Sequence, residues 1–279
     1  MELAGKVAVV TGASAGIGRA TAWGFAVRGA TVVPAARRLD RLERLADAIR
    51  GRGGDATPVA CNVSDSAAVE GLFRQVMEAY GRCDVLVNNA GVPGGGRFVK
   101  LPVEKLERIV RVNFLGVVYC TRAFLPQMLE RQQGHVVNIA SLAGRFAVPG
   151  SAVYSGTKHA VVAFSESLHY ETAPQGVLVT AVNPGVVPTE GFPHEEAKRA
   201  RGPRRLAVLR PEQVAEAVLR VVEKGIAPEL SIPRWLSALQ AVRVLTPPLY
   251  RFAMRRATGR GMLRATRVDE GAGQRTPSP

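Results

Sequence analysis

Val7-Ala-Val-Val-Thr11-Gly12-Ala-Ser-Ala-Gly16-Ile-Gly18 is the stretch that decides the fold. Its first five residues read as a short buried strand, and three glycines follow within the next seven positions. Arg19 to Arg28 then has helical character and stops at Gly29. Strand, glycine turn and helix are the parts of a phosphate cradle. Glycine lets the backbone approach a pyrophosphate, and the helix start offers free N–H groups and a positive dipole end. A plain tight turn needing glycine for positive φ is the competing explanation. The spacing is Gly-x-x-x-Gly-x-Gly, not the commoner Gly-x-Gly-x-x-Gly.

Outward from that stretch the alternation continues. Ala30–Ala36 is a second strand, ending at Arg37-Arg38, and Leu39–Arg50 carries Leu39, Leu42, Leu45 and Ile49 at helical spacing. Ala56–Val63 predicts a third strand and Ala67–Tyr80 the next helix. Cys83–Asn88 is a fourth strand running into Asn89-Ala90-Gly91. Leu101–Arg131 predicts a long, mostly helical stretch with Asn113 inside it, either at a local bend or as a surface polar residue. His135–Ser141 and Val177–Val182 are further strands, Pro211–Lys224 an amphipathic helix with Pro at its start, and Glu229–Ile232 the last strand. Strands and helices in alternation define an α/β protein: a Rossmann-like, doubly wound parallel sheet in a single domain. We take that domain as residues 1–232, with a helical extension over 233–264 and a disordered tail over 265–279. The ligand of such a sheet lies off the carboxyl ends of its strands. Gly12, Asn62, Asn89 and Ser141 all fall at such ends.

After the second strand an acidic residue would suit the ribose hydroxyls of NAD, whereas arginine suits a 2′-phosphate. Ala36 followed by Arg37 therefore favours NADP(H) over NAD(H), with Ser14 of the glycine turn within reach of the same phosphate. Two adjacent arginines can equally be a solvated helix start.

Tyr154-Ser-Gly-Thr-Lys158 sets a phenol and an amine one helical turn apart on one face. A fixed ammonium there is expected to lower the phenol pKa, giving an acid/base for a carbonyl or alcohol oxygen. Ser141, thirteen residues upstream, can hold that oxygen by hydrogen bond. The pattern also arises by chance on helices bearing one half-buried Tyr and one solvated Lys.

Thr11-Gly-x-x-x-Gly-x-Gly18, Asn88-Asn-Ala-Gly91, Ser141, Tyr154-x-x-x-Lys158 and Pro184-Gly185 occur in order, and on them the chain resembles the short-chain dehydrogenase/reductase superfamily over roughly residues 5–232. The resemblance implies that Tyr154 is the general acid/base, that Lys158 lowers its pKa and binds the nicotinamide ribose, and that Ser141 orients the substrate oxygen. Asn113 would hold a water in a proton relay. Gly12, Ser14, Gly16, Ile17, Gly18, Arg37, Asn62, Val63, Asn89, Ala90 and Gly91 would line the cofactor, with Pro184, Gly185, Val187 and Thr189 at the nicotinamide. The family often has Asp before Val63, where this chain has Asn62; an amide oxygen can still accept that hydrogen bond. A homo-oligomer is implied as well.

Composition narrows the rest. The net charge is +14, but residues 198–279 hold 17 Lys and Arg against 6 acids, while residues 1–197 hold 20 against 17. Three scattered cysteines read as reduced core residues of a cytoplasmic protein. No signal peptide or spanning helix is expected, and the four histidines show no metal-ligand spacing. Past Pro233, the apolar positions Trp235, Leu236, Leu239, Val242 and Leu245 and the polar positions Arg234, Ser237, Gln240 and Arg243 form two stripes. A basic amphipathic helix of this kind can lie on an anionic membrane surface. It can also cover the substrate pocket or a subunit interface, or pack on its own domain. Nucleic acid is not expected, since no stacking platform interleaves the arginines. Leu142, Phe146, Val148 and Phe192 are candidates for an apolar substrate pocket. The reading is thus an NADP(H)-dependent oxidoreductase interconverting a carbonyl and a secondary alcohol of a lipophilic small molecule, cytoplasmic or membrane-peripheral. Alternatives are an epimerase or dehydratase on the same fold, or a non-catalytic NADP(H)-binding regulatory or scaffold protein.

Overall fold

The computed structural model describes residues 1–190 and 208–252, apart from the Leu236 side chain; Phe192, His194 and the 265–279 tail lie outside the described residues. Seven strands among them form one sheet: β1 Val7–Thr11, β2 Thr31–Ala36, β3 Val59–Ala60, β4 Val85–Asn88, β5 Gly134–Ile139, β6 Val177–Pro184 and β7 Glu229–Ile232. Their order is β3-β2-β1-β4-β5-β6-β7, and every pairing is parallel. A parallel sheet needs helices on both faces, which is why all of β1 is buried.

Successive side chains of β1 go to opposite cores. Ala8 and Val10 meet Phe25, Leu42, Ile49 and Leu219 from helices α1 (Gly16–Val27), α2 (Leu39–Arg50) and α7 (Pro211–Lys224). Val7 and Val9 meet Leu72, Val76, Phe124 and Met128 from α3 (Ser66–Tyr80) and α5 (Gly116–Glu130). Helix α6 (Ala152–Thr172) adds Val161 and Val162 beside β6. The three cysteines are buried and unpaired.

Two elements differ from their sequence pattern. The expected third strand, Ala56–Val63, shrinks to two residues plus an isolated bridge from Ala56 to Val32. It is an edge strand, and Pro58 has no N–H to give the ladder. The long stretch from Leu101 divides into α4 (Val103–Val110), a π-helical turn at Arg111–Leu115, and α5. That turn carries Asn113 fully buried, so it marks a bend and not the surface. By length and composition Val103–Glu130 is apolar enough to cross a membrane, which the sequence reading did not anticipate; 44% of its most apolar window is covered by the fold.

At the amino edge of the sheet the buried carboxylate of Asp84 ties three strands together. Its Oδ2 accepts the Val7 N–H at 2.9 Å, and it pairs with Arg82 at 3.0 Å and Arg131 at 2.6 Å. Its own N–H reaches Val7 O, and its carbonyl accepts from His135 N. Removing one member of such a buried group strands the others. Asp84→Ala should lower the unfolding free energy by about 3 kcal/mol in urea denaturation; a loss within experimental error would mean the arginines find water instead.

Candidate active site

The opposite, carboxyl edge gathers the motifs. Gly12 takes φ +68° and Gly16 φ +54°, values that only glycine holds without strain. The turn is stitched to β4 by Thr11 and Asn89. Asn89 Nδ2 donates to Thr11 O at 2.9 Å and Gly12 O at 3.3 Å, while Thr11 Oγ1 accepts from the N–H groups of Asn89 (3.0 Å) and Ala90 (3.2 Å). Gly18 closes the stitch: a Cβ there would stand 2.4 Å from Asn89 Nδ2 and 2.5 Å from Gly12 O. Thus the third glycine is required by close approach and not by φ. Asn89 serves the turn's own backbone, a role the sequence reading did not give it.

Lys158 lies on α6, buried, with its ammonium donating to Ile139 O at 2.8 Å. Its Nζ stands 5.8 Å from the Tyr154 ring centroid. Burial lowers the Lys158 pKa to about 8. Burial raises that of Tyr154, against a smaller lowering by its hydrogen bond with Ser141. The expected depression of the phenol by the amine is therefore corrected: desolvation prevails and Tyr154 stays protonated at neutral pH. Ser141 caps the turn after β5, accepting the Ala143 N–H at 3.1 Å.

Asn113 comes to the same place. Its Oδ1 accepts Val92 N at 2.8 Å and its Nδ2 donates to Val92 O at 2.9 Å, which leaves each atom capacity for a second bond. A Cβ on Gly91 would be 3.4 Å from Asn113 Oδ1 and 4.0 Å from Lys158 Nζ, so Gly91 separates the two. The π turn is what swings Asn113 inward, and no periodicity argument could have found it.

The second-strand arginines divide differently from expectation. Arg38, not Arg37, reaches Ser14 Oγ, at 3.0 Å from Nη2 and 3.3 Å from Nε. Arg38 also pairs with Glu190 at 3.0 Å, and Arg41 pairs with the same carboxylate at 2.5 Å. Arg41 and Arg38 hold the Glu190 pKa below its ordinary value. An open cavity of about 510 Å³ lies here, lined by Ser14, Ala15, Gly16, Arg19, Arg41 and Glu190 among others. The segment after β6 folds in beside it: Gly185 N donates to Ile232 O, Val186 bridges Val208, and the Thr189 methyl would lie 2.7 Å from a Cβ on Gly16. Pro184 ends β6, and Val187 is half-buried in the segment. Ile17 is half-buried in the first turn of α1.

The remaining expected contacts sit at the edge of the site. Asn62 Oδ1 is engaged by Ser64 Oγ at 2.9 Å in a local turn, and Val63 is buried against Gly116. Gly12 would accommodate no Cβ, since Ala90 Cα stands 2.7 Å away. His135 is buried, its pKa lowered to about 3 by desolvation, and hydrogen-bonded to Thr180 at 2.8 Å.

Residues 6–200 match the family model for short chain dehydrogenases. The chain is 34% identical to the 3-oxoacyl-[acyl-carrier-protein] reductase of Thermotoga maritima over 223 residues, 78% of this chain and 91% of that protein. It is 41% identical to glycine betaine reductase of Emericella nidulans over 221 residues, 78% of this chain but only 17% of that longer protein. Among solved structures, a variant actinorhodin polyketide ketoreductase with NADPH superposes with a TM-score of 0.75 at 34% identity, covering 82% of this chain and 95% of that one. A short-chain dehydrogenase/reductase from Burkholderia phymatum with NAD gives 0.78 at 31%, covering 90% and 96%. The chain belongs to the short-chain dehydrogenase/reductase family. It is an NAD(P)-dependent oxidoreductase of the carbonyl–alcohol type.

The residues present fit a dinucleotide: a glycine cradle with no room for side chains, a helix N-terminus behind it, and cations at the outer end. Gly18→Ala should push Asn89 off the turn and weaken dinucleotide binding roughly tenfold, as overpacking costs of about 1–3 kcal/mol imply. Fluorescence titration with NADPH checks this; unchanged affinity in a folded variant would separate the stitch from cofactor binding.

Proposed function

We propose that the protein is an NADP(H)-dependent reductase that converts a carbonyl of a lipophilic small molecule to a secondary alcohol. The observation that carries the reading is the Ser141–Tyr154–Lys158 constellation, with the half-buried phenol hydrogen-bonded to half-buried Ser141 and the buried amine one turn away. A bound nicotinamide would supply the hydride. Ser141 would hold the carbonyl oxygen while Tyr154 gives it a proton, and Lys158, charged below about pH 8, would support the ribose. A phenol kept protonated is an acid in waiting, which suits reduction better than alcohol oxidation. Asn113, set off from the Lys158 amine by Gly91, is suited to hold a relay water. Half-buried Leu142 and Phe146, with exposed Val148, follow Ser141 directly and favour an apolar substrate. An epimerase would need the phenol to work equally as a base, which its raised pKa disfavours. A pure cofactor sensor would have no use for a phenol hydrogen-bonded to Ser141 beside that ammonium.

Preference for NADP(H) is supported by Ser14, Arg38 and Arg41, which converge beyond the glycine turn where a 2′-phosphate would lie. Glu190 now bridges the two arginines and would be displaced by that phosphate. We read the protein further as a cytoplasmic homo-oligomer with peripheral membrane contact.

Tyr154→Phe should cut carbonyl reduction about a thousandfold, the usual reach of general acid catalysis, with NADPH binding kept. The wild-type rate should be level below pH 8 and fall as pH rises through the Lys158 pKa of about 8, where the ammonium is lost. NADPH absorbance with a panel of apolar ketones reads both; equal rates for the two proteins would remove Tyr154 from the chemistry. For the cofactor, Arg38→Ala should weaken NADPH about tenfold and leave NADH unchanged. Glu190→Gln should tighten NADPH alone. An unaltered NADPH/NADH ratio in both variants would count against the phosphate site.

A further inference from the structure

The C-terminal extension leaves the domain at Ile232 and forms α8 (Leu236–Leu245), after which helical backbone resumes at Pro247 and runs to Phe252. Not one described side chain from Arg234 to Phe252 is buried. Trp235, Leu239 and Val242 are each more than 40% exposed, Leu245 78%, Leu249 58% and Phe252 53%. A helix packed on its own domain would bury its apolar stripe, so that reading of the extension is corrected.

The stripe has flanks. At about 100° per residue, Trp235, Leu239 and Val242 fall within roughly 40° of one line, with Arg243 and Arg234 about 90° to either side. Arg243 lies 5.8 Å over the Tyr250 ring, and Arg251 donates to Pro247 O. Positions 230–268 hold eight arginines and no Asp or Glu.

We propose that this face seats on an anionic bilayer surface. Its apolar line would enter the acyl boundary while the flanking guanidinium groups stay at the phosphate level, as basic amphipathic helices do. Two other occupants fit less well. A second copy of this face would set arginines against arginines with no carboxylate between them. A nucleic acid would satisfy the arginines yet leave the apolar line in water. The position on the fold is also informative. Tyr250 lies tilted against Phe146, five residues past Ser141, with ring centroids 6.3 Å apart, and Arg145 pairs with Glu229 of β7 just before the extension. The docking face therefore adjoins the wall behind Ser141, on the path a lipophilic substrate would take from a membrane.

The inference is independent of the cofactor reading, and its test uses no turnover. The full chain should float with vesicles of phosphatidylcholine and phosphatidylserine, and not with phosphatidylcholine alone. Raised salt should weaken it. Arg234→Gln/Arg243→Gln/Arg251→Gln should lose about a hundredfold in vesicle affinity, since each basic residue near such a surface contributes about a factor of ten or less. Leu239→Ser/Val242→Ser should lose flotation while the circular dichroism melt is unchanged, because both side chains are exposed. Flotation with neither vesicle, or equal flotation of wild type and both variants, overturns the proposal. So does a serine variant that floats normally but sediments as a smaller oligomer, which would assign the face to self-association.

Discussion

One amide side chain holds the cofactor end of the molecule in shape. Asn89 stands at the carboxyl end of β4 and spends its Nδ2 on two carbonyls of the neighbouring strand and turn. Without it, Thr11 O and Gly12 O would face a crevice with no donor, and the turn would be free to choose other conformations. Thr11 completes the arrangement by accepting two successive N–H groups and giving its own proton toward Val87 O. Helix α1 can then begin against the turn only if position 18 carries no side chain. The shape of this turn is thus not a property of the glycines alone; the turn is clamped from the side by the strand next to it.

The same economy governs the candidate catalytic end. The parallel sheet brings Asn89 and Ser141 to one edge because β4 and β5 run side by side in register, Asn88 beside Asn138. Those two amides are themselves bonded, and Asn138 reaches Ser165 of α6. This buried polar path fixes α6 against the sheet and hence the azimuth of Tyr154 and Lys158. Burial then sets the protonation states. The amine loses affinity for its proton and the phenol gains it, so two affinities that nearly coincide in water are driven apart, and the phenol holds its proton the more tightly.

Much of this was legible in the chain. The sheet, its helices and the crevice along its carboxyl edge follow from hydrophobic alternation and glycine placement, and β1, α2, α7 and β7 end where the pattern ends. What could not be read has a physical cause in each case. The π turn depends on packing of α4 and α5 around Asn113, which no periodicity records. The choice of Arg38 over Arg37 depends on Ser14 and Glu190, which meet Arg38 from other parts of the chain and leave no trace in the strand pattern. The sign of the Tyr154 shift depends on how deeply α6 is covered, a tertiary quantity invisible to an i, i+4 rule. Thr11 was readable only as part of a motif; its two acceptor bonds need β4 beside β1.

The arginines of the chain fall into two arrangements that cannot substitute for one another. Around Ser14, arginines from the end of β2 and from α2 converge on one carboxylate, a concave arrangement in which two forks meet a single small anion. On the extension, arginines are spread along a half-apolar stretch with no acid between positions 230 and 268, and in the proposed docking each would meet a separate anion in a plane. The first geometry selects a ligand by shape and charge at a point. The second has no concavity to select with, so the occupant proposed for it is a surface that repeats the charge and also accepts the apolar side chains between.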